Sequence, residues 1–228
     1  MKKAGILLIA IALLPVALAA QQPDWANYRR YAEANAQLTT PPSVVFMGNS
    51  ITDGWDNAHP EFFTANNFAC RGIGGQVTSQ MLCRFRADVI GLHPEAVAIL
   101  AGTNDIAQNN GPIEMEHIVE NIISMAELAM AAGIRPILCS ALPAASYPWR
   151  PEIEGVPGKI KELNKRLKQY AADRGLVWVD YHSAMDAGDG SLRSEYTRDG
   201  VHPTPEGYAV MERVILPALA HYLPAAAK

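Results

Sequence analysis

The chain has 228 residues, of which 49% are hydrophobic and 18% charged, with a formal net charge of −4. That is ample for one domain with a real core. Acidic and basic residues are interspersed, and no basic patch or aromatic-basic stripe argues for a nucleic-acid partner.

Residues 1–20 differ from the rest: Lys2 and Lys3 precede an apolar run broken by Pro15, and Ala17, Ala19 and Ala20 supply small residues for cleavage. The pattern is that of a secretory signal peptide and predicts a periplasmic or secreted bacterial protein with no other membrane segment. Residues 21–228 are then expected to form a single domain. Cys70, Cys83 and Cys139 are an odd count with no CxxC spacing, which supports neither a redox nor a metal motif. Export permits a Cys70–Cys83 pair, but all three read more simply as small buried residues.

Residues 25–37 have helical composition and are stopped by Pro41-Pro42. Residues 44–47 are a buried strand that breaks at Gly48 and delivers Ser50 to a polar corner. Residues 62–68 fit no single pattern. Residues 68–73 form a short second strand running into Gly74-Gly75. Residues 78–92 set Met81, Leu82, Phe85, Val89 and Ile90 on one helical face, with Thr78 or Ser79 as cap. Residues 96–101 are a continuous apolar run, the mark of a central parallel strand, and end in Gly102-Thr103-Asn104-Asp105.

A long helix over 113–132 is closed by Gly133, and a fourth strand covers 135–142. The proline-rich loop 143–158 carries Tyr147 and Trp149. An amphipathic helix over 159–174 ends at Gly175, and a fifth strand spans 176–180. A polar connection leads to Asp199-Gly200-Val201-His202-Pro203, and Thr204, with Pro205 in the first turn, caps a final helix reaching about residue 222. Strand and helix alternate about five times, which predicts a parallel sheet with helices on both faces.

Three glycine-rich corners follow three successive strands, so they lie on one sheet edge, where open α/β sheets bind ligands. A fourth corner precedes the last helix. Ser50 can supply a nucleophilic hydroxyl, which needs a general base. His202 is the best base among the six histidines, because imidazole titrates near neutral pH. Asp199, three residues earlier, can fix the imidazole tautomer. An acyl transfer also needs donors for an oxyanion: the N–H groups of Ser50 and Gly75 and the side-chain amide of Asn104. Taken alone, Ser50 reads first as a helix N-cap, and only the other three corners reverse that order.

These blocks resemble the SGNH hydrolases, the GDSL-type lipases and esterases. Ser50 in Gly48-Asn49-Ser50-Ile51-Thr52-Asp53, Gly75 in Arg71-Gly72-Ile73-Gly74-Gly75, Asn104 in Gly102-Thr103-Asn104-Asp105, and Asp199-Gly200-Val201-His202-Pro203 match the family's four blocks in order. The resemblance implies a flavodoxin-like three-layer α/β/α sandwich with a five-stranded mostly parallel sheet, the roles just described, and no metal or organic cofactor. The first block often reads Gly-Asp-Ser-Leu. Here it carries Asn49 and Ile51, as in the branch related to acetylhydrolases, which leaves Asn49 without a role.

Trp55 and Trp149 are candidates to line the acyl or leaving-group site. Asp105 reads as structural, Gly72 as a turn-maker, Asp180-Tyr181-His182 as a strand end, and His59, His93, His117 and His221 as surface or helix-end residues. The expected function is an exported serine esterase acting on short acyl esters, acetyl on a carbohydrate foremost, given export, small size and no lid-like insertion. A lysophospholipase or thioesterase is the alternative enzyme, and a non-catalytic glycan-binding module is the alternative class.

Overall fold

Five short apolar runs build the sheet: β1 (Val44–Gly48), β2 (Phe68–Gly72), β3 (Ala96–Leu100), β4 (Arg135–Cys139) and β5 (Val177–Val179). The computed structural model describes residues 24–224, so the expected leader over 1–20 lies outside the described residues. All neighbouring strands are parallel, in the order β2-β1-β3-β4-β5, which is the flavodoxin-like order. Among the described residues no helix is long and apolar enough to cross a membrane.

Side chains alternate between two helical layers, as the period of a strand requires. Val45, Met47, Val97 and Ile99 pack on α4 (Thr78–Asp88), α6 (Met115–Ala131) and α7 (Val156–Arg174). Val44, Phe46, Ala96 and Ala98 face α2 (Ser50–Ala58), α3 (Pro60–Thr64), α8 (Tyr181–Met185) and α9 (Pro205–Leu219). The remaining helices are short: α1 (Ala32–Ala36) and α5 (Thr103–Ile106). Gly48 is level with Gly72 on one side and with Leu100 on the other. The corners after β1, β2 and β3 therefore sit side by side, at the switch point between β1 and β3 where the strand order reverses.

Four local expectations change. Residues 25–37 are not one helix but a 3₁₀ turn (Tyr28–Arg30) followed by α1. Asn27 is left-handed at φ 57°, and the Asp24 carboxylate takes the N–H groups of Tyr28 and Arg29 at 2.9 and 3.0 Å. The ambiguous 62–68 stretch divides between α3 and β2, with left-handed Asn67 as the break. β4 stops at Cys139 because the Asn164 side chain, reaching from α7, takes the N–H and C=O of Ala141 at 2.8 and 2.9 Å in place of a strand partner. The cysteines are all free, but Cys83 is exposed on α4, whereas Cys70 and Cys139 are buried.

α4 also carries a charge on its buried face. The Arg84 guanidinium is fully buried and donates to four acceptors. They are the Gly48 carbonyl at 3.1 Å, the Arg71 carbonyl at 3.0 Å, the Gln76 side chain at 2.6 Å and the Asp88 carboxylate at 2.9 Å. Removing one member of such a pair leaves an uncompensated buried charge, which costs about 3–5 kcal/mol. Arg84→Met is therefore expected to lower the unfolding free energy by about that amount in urea titrations. Adding Asp88→Leu should restore a large part of it, because the orphaned carboxylate is then gone. A loss under about 1 kcal/mol for Arg84→Met would contradict this assignment.

Candidate active site

Each corner owes its shape to a local device. At the first, the Asn49 side chain accepts from the Ile51 N–H at 3.1 Å and caps α2, so the cap is Asn49 and Ser50 is the first helical residue. The Ser50 N–H then lies ahead of the helix's own hydrogen-bond ladder, at the positive end of its dipole. This gives Asn49, 2% exposed, its structural reason. Gly72 is more than a turn-maker: a Cβ there would lie 2.2 Å from the Asp53 N, so the end of β2 can approach the first turn of α2 only as glycine.

The second corner contains Gly75, at φ +76° with open space around it, so glycine is required there by conformation and not by room. At the third, the Asn104 amide is 2% exposed and donates one proton to the Gln76 carbonyl at 2.9 Å. Its second proton is left for the cavity that Asn104 lines. Asp105 next to it is structural: its carboxylate accepts from the Thr78 N–H at 2.9 Å and the Thr78 hydroxyl at 2.6 Å, and so caps α4. Neither Thr78 nor Ser79 caps that helix with its own side chain.

The fourth corner arrives just ahead of α9, whose Thr204 cap accepts from the Gly207 N–H at 3.3 Å. His202 Nε2 lies 3.0 Å from the Ser50 Oγ, and His202 Nδ1 lies 2.6 Å from the Asp199 carboxylate. The other Asp199 oxygen accepts the N–H groups of Val201 and His202 at 2.9 and 2.8 Å. Thr197 closes the loop by donating to the His202 carbonyl at 2.8 Å. Partial burial pushes the Asp199 carboxyl up, but the hydrogen bonds from the His202 ring and from the two N–H groups outweigh it and hold the group at about 2. Burial moves Asp105 the other way, to about 6, against the hydrogen bonds from Thr78.

Ser50, Gly75, Asn104 and His202 thus line one cavity of about 260 Å³, together with Trp149 and Asn109. The arrangement offers a hydroxyl, an imidazole in hydrogen-bond reach of it, an ionised carboxylate behind the imidazole and convergent N–H donors. These are the parts that acyl transfer through a serine needs. Trp149 stands over this group, with its ring centroid 5.9 Å from that of His202 and its Nε1 donating to Asn109 Oδ1 at 2.9 Å.

Trp55 does not join them. It is 1% exposed and stacks on Phe62 and Tyr208, with Nε1 on Glu212 at 3.0 Å, because α2 turns it into the layer against α9. His59 also reaches inward, to Glu212 at 2.6 Å. Asp180 caps α8 through the Ser183 N–H at 3.0 Å, and His182 behind it is buried. Sequence reading missed Asn109, Gln76 and Arg84. The signal for Arg84 was its position three residues after Met81 and four before Asp88, on the face that carries Phe85.

Two outcomes follow from these environments. Asn49→Ala is expected to cost about 1 kcal/mol through loss of the cap, while Asn49→Asp keeps it, as thermal unfolding can show. Asp105 is raised in the folded state, so its contribution to stability is complete below about pH 4 and is lost as the pH rises through about 6. The swing is on the order of 3 kcal/mol, the product of about two pKa units and the energy of one. Asp105→Asn should remove that swing, so the stabilities of the two proteins should diverge between pH 4 and 6 in favour of the wild type at the acid end. Parallel pH profiles would contradict the assignment.

Residues 46–210 match the family model of the GDSL-like lipases and acylhydrolases. A GDSL-like lipase of known structure from Bacteroides thetaiotaomicron is 50% identical, with a TM-score of 0.84 over 87% of this chain and 99% of its own. A multidomain esterase from Ruminococcus flavefaciens is 24% identical over 217 residues, which is 89% of this chain and 27% of that protein. The chain thus spans about a quarter of the length of that curated relative. An acetylxylan esterase from Geobacillus stearothermophilus shares the fold at 16% identity, with a TM-score of 0.62 over 82% of this chain and 99% of its own. With the family match running through all four corners, the chain belongs to the GDSL-like lipase/acylhydrolase family, a family of carboxylic ester hydrolases.

Proposed function

We propose that the chain is an exported serine esterase that removes short acyl groups, acetyl foremost, from carbohydrates. The observation that carries the reading is the Ser50–His202–Asp199 series, with contacts of 3.0 and 2.6 Å. Ser50 Oγ attacks the ester carbonyl carbon as its proton passes to His202 Nε2. Asp199, ionised across the working range, holds the Nδ1–H and stabilises the imidazolium.

The carbonyl oxygen becomes an oxyanion among the N–H groups of Ser50 and Gly75 and the free amide proton of Asn104. Collapse of this tetrahedral species breaks the bond to the leaving oxygen, which takes the proton from His202. Water then adds to the acyl-enzyme with His202 as base, and the acid and free Ser50 are released.

Cavity size and lining support a short acyl group. Of the residues around the 260 Å³ space, only Trp149 offers extended apolar surface, so a long chain has no wall to lie along. Export rests on the character of residues 1–20.

Hydrolysis of p-nitrophenyl acetate, butyrate and octanoate tests the reading. Activity is expected to fall from acetate to octanoate. Ser50→Ala and His202→Ala should each lose roughly 10⁴-fold or more in kcat. Asn104→Ala should lose about 10²–10³-fold, the effect of one oxyanion donor. Turnover that survives Ser50→Ala would end the esterase reading, and a preference for octanoate would favour a lysophospholipase.

A further inference from the structure

Gly75 lines the cavity in front of Ser50. That residue also lines a second cavity of about 450 Å³, whose far wall is the N-terminal segment with Trp25, Asn27 and Arg29. A third, of about 340 Å³, continues beyond Trp25 and Asn110, which line both. The three cavities thus share walls in series, from Gly75 beside Ser50 to Trp25, whose indole is 51% exposed.

The backbone carrying that indole is fixed. Gln80 donates to the Trp25 carbonyl and Gln76 to the Ala26 carbonyl, both at 2.8 Å. Tyr28 donates to the Cys83 carbonyl at 2.8 Å, and the Tyr31 hydroxyl donates to the Gly72 carbonyl. A chain held by four tertiary hydrogen bonds, yet leaving a tryptophan unburied, presents a pre-organised platform. Around it stand the side-chain amides of Asn27 and Asn110, which line the same cavity. An apolar face flanked by amides matches a pyranose, which offers C–H groups on one face and hydroxyls at its rim. The polar lining around the indole, with Asp24, Arg29, Gln76 and Gln80 beside the two asparagines, suits a hydroxylated ligand better than an acyl chain.

Resting on the esterase reading above, we infer that the Trp25 cleft is the leaving-group subsite of the same centre and takes an uncharged pyranose oligomer. Trp25 is the stacking platform, and Asn27 and Asn110 receive hydroxyls. The segment lies ahead of residue 46, where the family match begins, so the subsite sets the specificity of this chain apart from the shared hydrolytic core.

Two substrates separate the subsite from the chemistry. Methyl acetate has a leaving group too small to reach Trp25, and acetylated xylotetraose fills the cleft. Trp25→Ala is expected to hydrolyse methyl acetate within about twofold of wild type and to lose about tenfold or more in kcat/KM on the tetraose, mainly through KM. Trp25→Phe should recover part of the loss and Asn110→Ala should show a smaller one.

Equal losses on both substrates, or none on the tetraose, would overturn the subsite. Should wild type hydrolyse neither, the esterase reading fails by itself, and calorimetry of xylotetraose with the Ser50→Ala protein decides the subsite. Binding weakened by Trp25→Ala upholds it, and binding that is absent or independent of Trp25 refutes it.

Discussion

A single buried cation holds the working edge of this molecule in register. Where β1 and β2 end, the Gly48 carbonyl keeps one backbone donor, the Ile73 N–H at 3.2 Å, and both it and the Arg71 carbonyl turn into the protein. Arg84 meets both, and its remaining donors reach Gln76 and Asp88. Gly48 precedes the capped corner that presents Ser50, and Gln76 follows Gly75 and offers its carbonyl to Asn104. The guanidinium thus ties the Ser50 corner to the corners that carry Gly75 and Asn104. Its worth lies in geometry more than in net stability, since a well-packed apolar replacement of a buried ion pair can be as stable. A planar group with a fixed fork of donors can serve four acceptors that an ammonium could not.

Around that pin, the polar residues of the edge divide between supporting the backbone and facing the cavity. Asn49 and Asp105 commit their side chains to helix N-termini. Asp199 does both, holding two N–H groups of its own loop with one oxygen and the imidazole with the other. The two aspartates are pushed apart by their surroundings: burial lifts Asp105 to about 6, while donors hold Asp199 at about 2. Asp199 therefore stays ionised behind His202 well into the acid range, while Asp105 takes up its proton first as the pH falls below neutral.

Much of this could be read from residues alone. The five strands are short apolar runs, and a parallel sheet brings their ends together whatever lies between them, so Ser50, Gly75, Asn104 and His202 could be expected at one place. What was illegible depends on partners distant in sequence. The N-terminal segment has the composition of a helix, but its path is set by Gln76, Gln80 and Gly72. Trp55 shares the short helix that Ser50 begins, yet its burial is decided by Phe62 and Tyr208 from other elements. The apolar run at 135–142 extends past the strand it forms, because Asn164 on another helix captures Ala141.

The central claim is that Ser50 is a nucleophile activated by His202. Treatment with diethyl p-nitrophenyl phosphate, followed by peptide mass analysis, tests it most directly. The serine oxygen should bond to phosphorus with stoichiometric release of p-nitrophenolate, leaving a diethylphosphoryl group on Ser50 and none on other serines. His202→Ala should abolish the labelling. Modification at another residue, or labelling of Ser50 at an unchanged rate in His202→Ala, would contradict the account.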